Sequence, residues 1–211
     1  MIKRLFDLLI AVMLLSVLLP VCLCIAVAVV IDSKGPVFYR GVRAGRNGIP
    51  FKIFKFRTMV VNAELLGGGT TALRDPRITR VGAVLRKFKL DEFPQILNVL
   101  KGDMSLVGPR PELLQYAERY NNEEKKILSV RPGITDFSSI EFHSLDECVG
   151  AVDADRIYEE TVLPRKNLLR IKYVEEQSLR LDITIIAKTA YVIIRKVLKT
   201  LHRGGAKVWI I

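Results

Sequence analysis

Leu8-Leu9-Ile10-Ala11-Val12-Met13-Leu14-Leu15-Ser16-Val17-Leu18-Leu19-Pro20-Val21-Cys22-Leu23-Cys24-Ile25-Ala26-Val27-Ala28-Val29-Val30-Ile31 is an uncharged run of 24 residues, closed by Asp7 on one side and Asp32 on the other. As one straight helix it would reach roughly 36 Å, enough for a hydrocarbon core of about 30 Å, so the run predicts membrane contact. Pro20 lies in its middle and has no N–H for the Ser16 carbonyl four residues back. Its ring predicts a kinked helix-break-helix with two arms of about 12 residues, each short of a full span. Basic residues flank both ends, Lys3 and Arg4 before the run and Lys34, Arg40, Arg43 and Arg46 after it. The positive-inside tendency therefore places both ends in the cytoplasm, and a re-entrant anchor over residues 1–33, broken near Ser16 and Pro20, satisfies both observations. An ordinary span with a tolerated proline, or a leader cleaved near Ala26-Val27-Ala28, are the alternatives. The leader fits less well because the chain stays apolar past Ala28 and the body carries a single cysteine, Cys148, which cannot build a disulfide framework.

Outward from the anchor, the 211 residues hold 33 Lys plus Arg against 22 Asp plus Glu, a net charge of +11 on a half-apolar chain. With 26% charged residues, neither an intrinsically disordered chain nor a polytopic transporter fits. The charge is segregated: residues 1–33 are neutral, residues 34–101 hold 14 basic and 4 acidic side chains, and residues 102–211 hold 17 and 16. A central basic block needs an anionic partner, either nucleic acid, anionic lipid or a phosphorylated small substrate. The block lacks the aromatic interleaving of single-strand binders and any groove-reading module, so nucleic acid is not expected as a partner.

The expected fold of residues 34–211 is α+β and mostly helical, with short strands. Val37-Phe38-Tyr39-Arg40 reads as a strand, Gly41 to Gly48 as a loop, and Phe51 to Arg57 as a strand alternating apolar and basic residues. Lys55 and Arg57 on it face either a phosphate or solvent. Gly67-Gly68-Gly69-Thr70-Thr71 reads as a loop without a nucleotide fingerprint. Val81, Val84, Leu85 and Phe88 form the apolar stripe of a helix whose other face is basic, Arg86 included. Pro94 suits the first turn of the next helix, which leaves Asp91 and Glu92 at or just before its positive end. These are the only acidic residues between Arg77 and Gly102. They read either as a metal-binding pair with one nucleophilic member or as helix capping with surface ion pairing. Arg110 in Gly108-Pro109-Arg110-Pro111 and Arg131 in Arg131-Pro132-Gly133 sit on proline-fixed backbone, as phosphate contacts or as structural turns. Leu179 to Leu201 reads as a basic amphipathic helix, interfacial or simply docked. His143 and His202 show no metal-ligand spacing.

Taken in order, these motifs resemble the bacterial monotopic phosphoglycosyl transferases. The resemblance rests on Lys3-Arg4-Leu5-Phe6-Asp7, Lys55-Phe56-Arg57-Thr58-Met59, Asp75-Pro76-Arg77-Ile78-Thr79-Arg80-Val81-Gly82, Leu90-Asp91-Glu92-Phe93-Pro94-Gln95, Gly102-Asp103-Met104-Ser105-Leu106-Val107-Gly108-Pro109-Arg110-Pro111 and Arg131-Pro132-Gly133-Ile134-Thr135. Two positions depart from the family pattern: Leu19, where a serine commonly precedes the proline, and Asp136-Phe137, where a glycine and an aromatic residue often follow. The resemblance implies an enzyme that moves a sugar-1-phosphate from a UDP-sugar to a polyprenyl (undecaprenyl) phosphate with release of UMP, initiating membrane glycan synthesis. It implies Asp91 as nucleophile through a covalent aspartyl intermediate, Mg²⁺ held by Glu92 with Asp91, and Arg86, Arg110 and Arg131 as phosphate contacts, with Lys55 and Arg57 nearby. The implied setting is the cytoplasmic face of the bacterial inner membrane, among membrane lipid, and a homodimer is compatible with it. A non-enzymatic scaffold binding anionic lipid is the competing function.

Overall fold

The computed structural model describes residues 1–66, 71, 75–142, 145, 148 and 153–205, so Gly67 to Thr70 of the expected glycine loop and His143 lie outside the described residues. The apolar run forms one helix, α1 (Ile2–Asp32), that continues through Pro20. The two arms expected around Pro20 are thus corrected to a single 31-residue helix. Ser16 is turned back on the helix, its hydroxyl donating to the Val12 carbonyl at 3.0 Å.

One face of α1 follows the body from end to end. Lys3, Asp7, Ala11, Leu14, Leu18, Cys22, Ile25 and Val29 form the seam, and it crosses Pro20 without changing register. Its steps repeat every 11 residues, close to the 3.67 residues per turn of a nearly straight helix. Both ends are fastened. At the start, the Lys3 ammonium lies 2.6 Å from Asp182 Oδ2, Arg4 donates to the Val99 carbonyl at 2.8 Å, and Asp7 accepts from the Ser105 hydroxyl at 2.8 Å. At the finish, Asp32 accepts the Val81 N–H at 2.9 Å, while Arg57 donates to the carbonyls of Ser33 and Lys34. The opposite face, including Leu9, Val17, Leu23 and Val27, is exposed and apolar.

The four strands β1 (Phe38–Tyr39), β2 (Val42–Ala44), β3 (Pro50–Lys52) and β4 (Lys55–Phe56) build a single antiparallel hairpin, since every pair in its ladder is equidistant from Asn47. The loop expected over Gly41 to Gly48 is therefore shorter: Val42–Ala44 is strand, and the turn is confined to the tip, where Asn47 takes φ 57°. Asn98 stitches the hairpin to the helices, accepting the Phe54 N–H at 2.8 Å and donating to the Lys52 carbonyl at 2.9 Å.

Helix α2 (Arg80–Phe88) is capped by Thr79, whose hydroxyl accepts the Gly82 N–H at 3.0 Å. Gly82 is required by close packing: a Cβ there would lie 2.1 Å from the Thr58 carbonyl oxygen. Val84, expected in the apolar stripe, is instead 53% exposed, so the buried face of α2 is carried by Gly82 and Leu85. Lys89 at φ 59° ends α2, a tight turn over Leu90–Glu92 follows, and Pro94 caps α3 (Gln95–Lys101). Strands β5 (Ser105–Val107) and β6 (Gly133–Thr135) pair in parallel against the main core of Val99, Met104, Val107, Tyr173 and Ile185. Between them lies α4 (Leu114–Ala117), and after them α5 (Phe137–Glu141). Helix α6 (Ala154–Ile157) passes through one π turn, Tyr158–Val162, into α7 (Leu163–Glu176), and α8 (Leu179–Gly205) closes the fold. Helix α8 docks through Asp182 and Ile185 yet leaves Ile183, Tyr191 and Ile194 exposed.

Candidate active site

The left-handed turn at Lys89 reverses the chain so that Asp91 and Glu92 fall between two helices and against β4. Both face a cleft of about 2730 Å³. Its lining includes the charged residues Asp91, Glu92, Lys55, Arg86, Lys89 and Arg110 and the apolar residues Ile10, Leu14 and Leu18 of α1 with Ile186 and Ile193 of α8.

The two adjacent carboxylates are treated differently by their surroundings. Glu92 is held by cations: Lys55 Nζ lies 3.0 Å from Oε1, and the Arg110 guanidinium makes a bidentate pair, 2.9 Å from Nη1 to Oε2 and a second contact from Nη2 to Oε1. Burial alone would raise the Glu92 carboxyl, but Arg110, Lys55 and Lys89 outweigh it and keep it well below the usual range. Asp91 is 7% exposed, and one of its carboxylate oxygens, Oδ1, is buried without a hydrogen-bond partner among the described residues. Burial, followed by the Glu92 charge, raises the Asp91 carboxyl against the pull of Lys55, Lys89 and Arg86. Leaving such an oxygen bare costs about 1–3 kcal/mol or more, a cost the fold bears where a reacting group or ligand completes the site. One turn on, both amide atoms of Gln95 are also buried and unpartnered.

Arg110 is held from behind. Asp136 caps α5 and accepts the Arg110 backbone N–H at 3.0 Å together with the Ser138 and Ser139 hydroxyls, while the Arg110 side chain also donates to the Ile134 carbonyl at 3.0 Å. The departure at Asp136 therefore has a local use, since its carboxylate fixes the backbone that aims the guanidinium.

Of the residues expected at the site, the structure brings together Asp91, Glu92, Lys55, Arg86 and Arg110. Arg57 borders the cleft, but its guanidinium closes the last turn of α1 on the Ser33 and Lys34 carbonyls. Arg131 is not brought to the cleft: its Nε donates to the Gly102 carbonyl at 2.9 Å, at the end of α3. Carbonyl oxygens have taken the place of the phosphates expected for both arginines. Sequence reasoning missed Lys89, whose amine burial pushes down, and a buried polar cluster of Glu112, Tyr158, Lys166 and Arg170 along another wall. Lys89 lies within the basic face already noted beside Asp91; nothing in the local spacing marks the second cluster.

Among the described residues, no three His, Cys, Asp or Glu side chains gather as a metal cage. Mg²⁺ needs only one or two carboxylates beside substrate phosphates and water, and the unpartnered oxygen of Asp91 suits it. Glu92 is turned to its cations, so a ligand role for it requires Lys55 and Arg110 to move off its oxygens.

The bacterial sugar transferase family matches residues 1–196. The chain belongs to the bacterial sugar transferases. Among its relatives, a putative undecaprenyl-phosphate N-acetylgalactosaminyl 1-phosphate transferase of Bacillus subtilis is 42% identical over 122 residues, covering 58% of this chain and 68% of that one. A UDP-N-acetylgalactosamine-undecaprenyl-phosphate N-acetylgalactosaminephosphotransferase of Aeromonas hydrophila is 38% identical over 89% of this chain and 42% of its own. A UDP-glucose:undecaprenyl-phosphate glucose-1-phosphate transferase of Escherichia coli is 36% identical over 90% of this chain and 40% of its own. The sugar transferase chain thus spans about two fifths of the length of the last two relatives.

Proposed function

We propose that this chain transfers a sugar-1-phosphate from a UDP-sugar to undecaprenyl phosphate, with UMP as the first product. The single observation that carries the reading is the bare, buried oxygen of Asp91 in a cleft lined by both cations and apolar side chains. A water-soluble diphosphate suits the cations and a lipid tail the apolar side chains. The names of the relatives, which join undecaprenyl phosphate to a UDP-sugar or a sugar 1-phosphate, support that pairing.

In the first step the Asp91 carboxylate attacks the β-phosphorus of the UDP-sugar. The Pβ–O bond to the α-phosphate breaks, UMP leaves with the electron pair, and the sugar phosphate remains as an ester of Asp91. In the second step a phosphate oxygen of the lipid attacks the same phosphorus and frees Asp91, which gives ping-pong kinetics. Arg110, Lys55 and Arg86 bind the phosphates, and Glu92 holds the first two in place until substrate arrives. Asp91, and Glu92 once its cations have turned to the phosphates, would hold Mg²⁺, which would supply positive charge against that developing on the leaving phosphate.

Helix α1 is read here as a membrane anchor with both ends on the cytoplasmic face. Both ends are fastened to one body, and the outward face is apolar along its length, which supports a helix that enters the membrane and does not leave on the far side. Replacing Asp91 with Asn should abolish UMP release from UDP-sugars in nanodiscs, and full activity in that variant refutes the nucleophile. A scaffold would instead bind anionic vesicles while the wild-type chain releases no UMP.

A further inference from the structure

We propose that the Lys166 ammonium, which rests against Tyr158, is a second phosphate-binding point of the cleft, separate from the cations around Glu92. The proposal rests on the reading above that the cleft receives a nucleotide sugar and a lipid phosphate.

Lys166 lies on α7 and Tyr158 in the π turn that precedes it, and both border the cleft. A π turn shifts the face a helix presents and recurs at functional sites. Lys166 is 7% exposed, so its charge sits almost wholly out of water. The other charges of this wall are spoken for. Glu112 accepts the Tyr158 O–H at 2.5 Å and pairs with Arg170 at 3.0 Å, and Arg170 also donates to Asn167. The single Tyr158 proton is thereby committed to Glu112, leaving the hydroxyl oxygen to accept from Lys166 at 3.4 Å, a long bond. Among the described residues no carboxylate pairs with Lys166, whose amine otherwise rests over the Tyr158 ring at 4.8 Å. Among the described residues, the Tyr158 oxygen is the one hydrogen-bond acceptor its amine has.

Burying a cation in this way is unfavourable unless something anionic completes it; a methionine would fill the same space without the penalty. Burial, then the neighbouring Arg170 charge, pushes the amine down to about 7, against the pull of Glu112. An arriving phosphate would restore the full charge. The site described around Asp91 does not use Lys166: Arg110 pairs with Glu92, and no hydrogen bond joins that group to the Lys166–Tyr158 pair. What Lys166 lacks is an anion, and every substrate of the proposed reaction brings one. A phosphate here belongs either to the nucleotide or to the lipid.

The test is equilibrium binding to the full chain in detergent, with UDP as one probe and a short-chain prenyl phosphate as the other. Lys166→Met should weaken at least one of them about 10-fold, the scale of one lost charge-assisted hydrogen bond, while the thermal midpoint holds or rises. Loss confined to UDP assigns the nucleotide phosphate, loss confined to the prenyl phosphate assigns the lipid, and loss of both assigns a point the two substrates share in turn. Unchanged affinity for both probes overturns the proposal, as does a wild-type chain that binds neither. Lys166→Gln, polar but uncharged, gives the same readings if the Met variant fails to fold, and Lys166→Arg should retain binding. Because no turnover is measured, a chain that binds UDP through Lys166 yet releases no UMP would refute the transferase reading and leave this assignment standing.

Discussion

Replacing Arg110 with Met tests the electrostatics of the site apart from its chemistry. The substitution removes both guanidinium contacts from Glu92 and leaves Lys55 at 3.0 Å as its remaining hydrogen-bonded cation. Losing one partner of a buried pair costs about 3–5 kcal/mol. Here the Glu92 side chain retains 13% exposure and one cation, so the loss should lie below that range, about 2–3 kcal/mol. For a chain of this size that is a fall in thermal midpoint of about 5–10 °C. The sign with pH follows from the direction of the shift: Glu92 is depressed in the folded chain relative to an ordinary value of 4.5, so its pairing stabilises fully above that value and is lost as pH falls through the lower folded one. The deficit of the variant should therefore be largest near neutrality and shrink in acid. Adding Glu92→Gln removes the stranded charge and should return most of the loss, leaving a deficit of about 1 kcal/mol. Thermal unfolding in detergent, followed by near-ultraviolet circular dichroism at several pH values, reads all three. An Arg110→Met variant as stable as the parent at neutral pH, or a double variant no better than the single one, refutes the assignment of Glu92 as a buried anion held by these cations.

Gly82→Ala opposes two effects of different size: helix propensity favours alanine by about 1 kcal/mol, whereas the new Cβ at 2.1 Å from the Thr58 oxygen forces α2 away from the hairpin. A net loss of about 1–3 kcal/mol in denaturant titration is expected, and a gain would contradict the packing. With Cys22, Cys24 and Cys148 replaced by Ser, cysteines introduced at Ile2 and Lys34 should both be protected from impermeant label in right-side-out vesicles; labelling at one end only requires a true span. Chelation of divalent cations should stop UMP release and added Mg²⁺ should restore it, whereas release that continues in chelator rules out the metal role.

The helical positions beside Asp91 were legible because they rest on local rules: a proline that starts a helix and a basic face that isolates two carboxylates. The hairpin was only half legible. Alternation marks Phe51 to Arg57, but Val42–Ala44 becomes strand through its partner across the turn, and glycines on either side made it read as loop. Arg57 and Arg131 could not be separated from Arg110 by sequence, since a carbonyl and a phosphate oxygen ask the same of a guanidinium. Val84 reads as core by spacing alone, and helical periodicity does not say whether an apolar residue meets protein or another apolar surface. Lys166, Asn167 and Arg170 were not singled out, since nothing in a polar residue on a helix marks it as buried; their partners lie outside that helix, Tyr158 for Lys166, Glu124 for Asn167 and Glu112 for Arg170.

The seam of α1 also limits how this chain can change. A residue inserted between Asp7 and Asp32 turns everything after it by about 100°, carrying Ile25 and Val29 off the body and breaking the bond from Asp32 to Val81. Because the seam repeats every 11 residues, only a change of three whole turns restores the match, by lengthening the rail about 16 Å past its second fastening. The helix therefore has one workable length. On the proposed reading of α1 as a membrane anchor, it would act as a gauge of the distance between Asp91 and the lipid, and a neutral change of hydrophobic composition is open to it where a change of register is not.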